Sequence, residues 1–259
     1  MNLLETIEKL KIKDEVDSVF ITGSQGDENK PYSDIDLVII LNQNTDKIKS
    51  IYTWIDNKFA DIFFFDLNDL DRITNSKKIK ANSMDAIFLA WLKKANIQFD
   101  KSGQVTDLKN TLPNFESIIN FSESDKAQSW QKINYNFVAN KRYFESNDTV
   151  YHEALEIRLM YSIPELLLGY FEFRNIAWRG EKDALKFLKE NDLEFYNLFL
   201  EYTKSQDISS RFNCYSKMVK KVFVSDYAIW ITGQIIAESK DDKIDSKNQA
   251  KEYWFRLSE

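Results

Sequence analysis

The sequence predicts an α+β protein in two parts, strands and helices mixed over residues 1–112 and helices alone over 113–259. Three observations carry that division. Short apolar runs around Val19–Thr22, Leu37–Ile40 and Phe59–Phe65 are interleaved with amphipathic stretches in the first part only. Beyond Glu116, proline almost disappears, with Pro164 alone before Lys240, and β-type alternation gives way to long aromatic stripes. The composition agrees, since 259 residues contain only 6 Gly and 3 Pro against 19 Phe and 12 Tyr. That balance favours long helices with few loops and suffices for sizeable cores.

The elements follow in order. Leu3, Leu4, Ile7 and Leu10 stand at helical spacing and predict an amphipathic first helix over 2–13. Strands are expected at about 17–22 and 35–41. Ile48, Ile51, Tyr52 and Ile55 read as a further helical stripe, followed by a strand over Phe59–Phe65. Asp66 then caps a helix of Leu67 to Ile73. A mostly apolar helix around Met84–Lys94 packs on the sheet, and Asn96–Phe99 is a short strand that ends at the Gly103 turn. In the second part, helices are expected at about 115–146, 149–173, 181–190, 192–204, 209–238 and 247–257. Pro164 should kink or divide the second of these.

Composition also sets exclusions. One cysteine and one histidine rule out a disulfide framework and a Cys/His zinc site. A net charge of −6 argues against indiscriminate nucleic-acid binding. The absence of a signal-peptide pattern and of a spanning apolar run points to a cytoplasmic protein without membrane contact.

The chemistry concentrates near the N-terminus. Val19-Phe20-Ile21-Thr22 leads into Gly23-Ser24; a nine-residue gap follows, then Asp34-Ile35-Asp36-Leu37 opens the second strand. Alternation along that strand sends Asp34 and Asp36 to one face and Ile35 and Leu37 into the core. Carboxylates held side by side repel unless a cation lies between them, and their oxygens suit a hard ion such as Mg²⁺. Gly23 permits close backbone approach, and Ser24 offers a hydroxyl and an amide to a phosphate. Asp61 is a lone charge entering an apolar, β-prone run, costly there unless paired or metal-bound.

Gly-Ser and Asp-apolar-Asp at this spacing, each at the end of an apolar strand, resemble the signature of the DNA polymerase β-type nucleotidyltransferase superfamily over roughly the first hundred residues. Within it the chain resembles small-molecule members of the aminoglycoside type, which add a C-terminal helical domain. The resemblance implies a mixed sheet flanked by helices, followed by a helical substrate-binding domain. It also implies transfer of a nucleoside monophosphate from a nucleoside triphosphate to a hydroxyl, with release of pyrophosphate. Asp34, Asp36 and Asp61 would then bind Mg²⁺ or Mn²⁺, with Asp61 preferred over Asp66 as the third acid, and Gly23 and Ser24 would hold the triphosphate. Phe173–Lys182 resembles, loosely, a Gly-Lys segment of the aminoglycoside-type helical domains, which makes Arg179 and Lys182 candidate ligands of the triphosphate or of the acceptor. The plainer reading there is a solvated loop with Trp178 tucked into the core.

Within the predicted 149–173 helix, Val150, Ala154, Ile157 and Tyr161 share one face, with Leu155, Leu159 and Ile163 opposite. Such a helix is expected to be buried on both sides. His152 and Glu156, one turn apart, form either a structural pair or a site for a general base, Glu156. The acidic charge and aromatic second part suit a small, even cationic, acceptor. A transferase acting on a tRNA end or a protein side chain, and a silent nucleotide-binding module, are the alternatives. An Arg–His RNase motif is disfavoured, because Arg142 lies too far before His152.

Overall fold

The computed structural model describes residues 2–23, 34–81, 83–115, 118–232 and 234–236, with 252, 254, 256 and 257. The chain splits into two compact units, Met1–Asn120 and Phe121–Glu259. Residues 113–120, placed with the helices by the sequence, fall in the first unit: Phe115 is buried there, and Ile119–Asn120 pairs with Ile79–Lys80.

The first unit runs α1 (Leu3–Lys11), β1 (Val16–Thr22), β2 (Ile35–Leu41), β3 (Ser50–Ile55), β4 (Lys58–Asp66), α2 (Leu67–Thr74), β5 (Ile79–Lys80), α3 (Met84–Lys93), β6 (Asn96–Asp100) and α4 (Gln104–Thr111). A 3₁₀ turn, Leu112–Phe115, and β7 (Ile119–Asn120) close it. The main sheet has the order β3-β4-β2-β1-β6. It is mixed, because β2 and β4 are parallel and every other neighbouring pair is antiparallel. One face packs Val19, Leu37, Ile39 and Ile62 against Ile7 of α1. The other packs Phe20, Val38, Ile40 and Phe65 against α2, α3 and α4. Asp66 caps α2 through a reciprocal capping box with Asp69.

The stretch expected to be helical at 48–55 is instead β3, paired with β4. Asp56 and Asn57 form the two-residue connection, with φ of 51° and 61°. Consecutive left-handed residues make the primed hairpin turn whose twist matches paired strands. That turn, with the β-prone Ile-Tyr-Thr-Trp-Ile run, overrides the helical spacing.

The second unit comprises α5 (Glu123–Phe144), α6 (Thr149–Phe173), α7 (Glu181–Asn191), α8 (Leu193–Lys204) and α9 (Ile208–Val222). α5 therefore starts later than expected, at its Ser122 cap. α6 is continuous through Pro164. Both Pro164 and Met160 lie on its exposed side, so water can serve the carbonyl that proline leaves unpaired. Over its first four turns only one side of α6 is buried: Leu155, Leu159 and Ile163 join the core, while Val150, Ile157 and Tyr161 are exposed.

α9 ends at Val222, well short of the expected 238, and Ser225 takes a φ of 57°. The chain beyond α9, irregular over 223–231, is a strap tied back to α5. Fully buried Asn134 donates to the Ala228 carbonyl and accepts from the Trp230 amide, and Trp130 also donates to Ala228. The helix expected at 247–257 lies almost wholly outside the described residues.

Candidate active site

β-pairing builds the site from the middle of the first unit's sheet. Register places Thr22 of β1 beside Asp36 of β2, Asp36 beside Asp61 of β4, and Asp61 beside Tyr52 of β3. Paired residues share a face, so these four side chains form one row across four strands. Ile35 and Leu37 point the other way and are buried, as alternation requires. The row lies on the face that packs against α2, α3 and α4, and Thr22 ties the end of β1 to α3 by donating to the Trp91 carbonyl at 3.0 Å.

Asp34, immediately before β2, joins this row. Asp34, Asp36 and Asp61 each offer a carboxylate oxygen, and the three oxygens lie within 4.8 Å of one another. Oδ1 of Asp61 is buried without a hydrogen-bond partner among the described residues. Burial first, and then the neighbouring Asp34 charge, push the Asp61 carboxyl above its ordinary range. An orphaned, partly desolvated oxygen facing two more carboxylates fits a hard divalent cation, which would satisfy the lone pair and cancel the repulsion. Asp66, the rival third acid, accepts from the amides of Asp69 and Asn44 and serves the fold.

The raised Asp61 carboxyl has a thermodynamic consequence. Its contribution to stability is fully present below the unfolded-state pKa and is lost as pH rises through the higher folded-state value. With divalent ions chelated, acidification should raise the stability of the wild-type protein relative to the Asp61→Asn variant, since only the wild type takes up this proton on folding. Thermal melts in EDTA across that range measure the difference between the two curves.

Gly23 has a more demanding role than ligand approach alone. Its φ is 79°, and a Cβ there would sit 2.1 Å from Oδ2 of Asp36. The glycine thus makes room for a carboxylate of the triad. Ser24 lies outside the described residues.

The other expected site residues belong to the second unit. Glu156 is not paired with His152. It accepts from the guanidinium of Arg211 on α9, and His152 Nε2 has no partner among the described residues. A guanidinium fork on a facing helix is a better partner for a carboxylate than an i,i+4 imidazole. The structural partner of Glu156 is thus Arg211, and substitution separates that role from the expected general-base role. Glu156→Gln should lower the melting temperature by roughly 2–4 °C, as for a partly buried pair contributing about 1 kcal/mol. Turnover of the folded fraction should change less than threefold, and parallel melting and steady-state assays check both. Arg179 and Lys182 are exposed around the start of α7, while Trp178 packs edge-on against Phe171 at 5.5 Å.

Sequence reasoning missed Tyr52 as a member of the carboxylate row. Alternation along Ile51–Ile55 was the available signal, masked there by an equally good helical spacing.

Comparison with known proteins agrees with this geometry. Residues 3–103 match the family model for the nucleotidyltransferase domain. No curated protein matches the chain. A crystal structure of a nucleotidyltransferase-like protein from Exiguobacterium sibiricum aligns over 83% of this chain and 70% of its own, at 14% identity and a TM-score of 0.44. The domain match rather than that distant likeness carries the assignment, and it spans the strands that carry Gly23, Asp34, Asp36 and Asp61. On this basis residues 3–103 are a match to the nucleotidyltransferase domain, and the mixed sheet that carries the three aspartates lies within them.

Proposed function

We propose that the protein transfers a nucleoside monophosphate from a nucleoside triphosphate to a hydroxyl of a small-molecule acceptor, with Mg²⁺ or Mn²⁺ held by Asp34, Asp36 and Asp61. The observation that carries this reading is the convergence of three carboxylates within 4.8 Å, one with an orphaned buried oxygen. Such an ion would supply positive charge at the reacting phosphate and favour ionisation of the acceptor hydroxyl. In the transfer, the acceptor oxygen bonds to the α-phosphorus. The bond from that phosphorus to the bridging oxygen breaks, and pyrophosphate departs in line. The hydroxyl proton passes to a carboxylate oxygen of Asp61. Gly23, with its φ of 79°, and Ser24 are the residues assigned in this reading to the leaving group. The net charge of −6 favours a neutral or cationic acceptor over a nucleic-acid strand.

The test combines the protein with Mg²⁺ and each nucleoside triphosphate, and reads pyrophosphate release and acceptor mass shift over a metabolite panel. A gain of one nucleoside monophosphate on a small molecule is expected. No metal-dependent nucleotide binding overturns the reading, and a mass shift confined to tRNA or protein overturns the small-molecule assignment.

A further inference from the structure

The β3–β4 hairpin exposes three aromatic rings beside the catalytic carboxylates. Tyr52 is 61% exposed, Trp54 66% and Phe59 44%, unusual for large apolar side chains clustered on one surface. Tyr52 and Phe59 stack with planes 2° apart and centroids at 6.3 Å, and Trp54 meets Phe59 edge-on at 5.6 Å. Register fixes their orientation. Tyr52 pairs with Asp61 and Trp54 with Phe59, so all three rings share the triad's face of the sheet. At about 4.8 Å between strands, Tyr52 stands one strand from Asp61 and about 10 Å from Asp36.

In-line displacement gives this placement a meaning. The attacking oxygen and the leaving pyrophosphate must lie on opposite sides of the α-phosphorus. If the pyrophosphate lies at the Gly23 end of the row, beside β1, the acceptor lies at the other end, beyond Asp61. That end is the aromatic hairpin. We propose that Tyr52, Trp54 and Phe59 form the acceptor platform, binding a hydroxyl compound by a ring face. This inference rests on the nucleotidyl-transfer reading and adds where the second substrate sits.

The adjacent chemistry narrows the occupant. Aromatic faces attract C–H-bearing ring faces and ammonium groups, and the nearby carboxylates reinforce the preference for positive charge. A ring-bearing polyol, neutral or amino-substituted, therefore fits better than a polyanion. The rings set which acceptor is held, while the carboxylates set what is done to it.

Hydroxyl-radical footprinting of the full chain, read at the peptide containing Tyr52 and Trp54, tests this directly. The probes are tobramycin as an amino-substituted polyol and maltotriose as a neutral one, each added with Mg²⁺ and a non-hydrolysable ATP analogue. At least threefold protection of Trp54 by one of the two is expected, and the pair distinguishes ammonium from C–H recognition. Trp54→Ala and Tyr52→Ala should each weaken binding of the protecting probe at least tenfold by calorimetry. Circular dichroism verifies that the variants are folded. Nucleotide binding without protection by either polyol overturns the platform and leaves the transfer reading standing. Failure to bind the nucleotide removes both. Protection by a single-stranded oligoadenylate alone assigns the rings to a nucleic acid, and protection by raising the protein concentration alone assigns them to a second copy. Either result overturns the proposal.

Discussion

Asp36→Asn is expected to reduce nucleotidyl transfer about a thousandfold or more while the protein remains folded. Asp36 occupies the centre of the row, between Thr22 and Asp61, and shares the 4.8 Å cluster with both other carboxylates. An amide is nearly isosteric but carries no charge, so a divalent ion held by the triad would lose one of three anionic ligands. Several kcal/mol of charge stabilisation are at stake, and each 1.36 kcal/mol or so is tenfold in rate. Burial of Ile35, Leu37 and Val38 on either side of the strand is untouched, so the far-UV spectrum should not change. Pyrophosphate release under saturating Mg²⁺ and nucleotide is the measurement. Turnover within tenfold of wild type would remove the triad from the chemistry.

Gly23→Ala should be nearly as damaging by a different route. A φ of 79° costs an alanine about 1–2 kcal/mol. The larger effect is steric, because the new methyl would lie 2.1 Å from Oδ2 of Asp36. Either the backbone turn or the Asp36 carboxylate must move. Turnover should fall at least a hundredfold, and the melting temperature by several degrees. A variant that melts early but retains full turnover would show that the turn, rather than the carboxylate, gives way.

The unequal legibility of the two units has a physical basis. β1, β2 and β4 are apolar runs interrupted by aspartates, and a buried strand does not tolerate such charges without a purpose. The triad could therefore be read from the sequence residue by residue. β3 could not, because an edge strand is apolar on one face for part of its length, and Ile48, Ile51, Tyr52 and Ile55 fit both periods. Its turn signal was Asp-Asn rather than the commoner Asn-Gly. In the second unit, helix positions followed the stripes, but the end of α9 did not. The strap beyond Val222 is held by Asn134, about ninety residues away in sequence, and no local pattern announces such a partner. Glu156 shows the same limit: its neighbour on the helix was visible, whereas Arg211 became a partner only once α9 lay against α6.

The position of β3 at the rim of the sheet has a consequence for how such a protein can change over time. β3 bonds to β4 alone, whereas β2 is held by both β1 and β4 and is buried on both faces. A substitution at Tyr52 or Trp54 thus perturbs one ladder and no core, while one at a buried β2 position perturbs two ladders and the core on its face. Mutational drift can remodel the outer ribbon freely while the inner strands keep their aspartates, so novelty in this architecture enters from the margin.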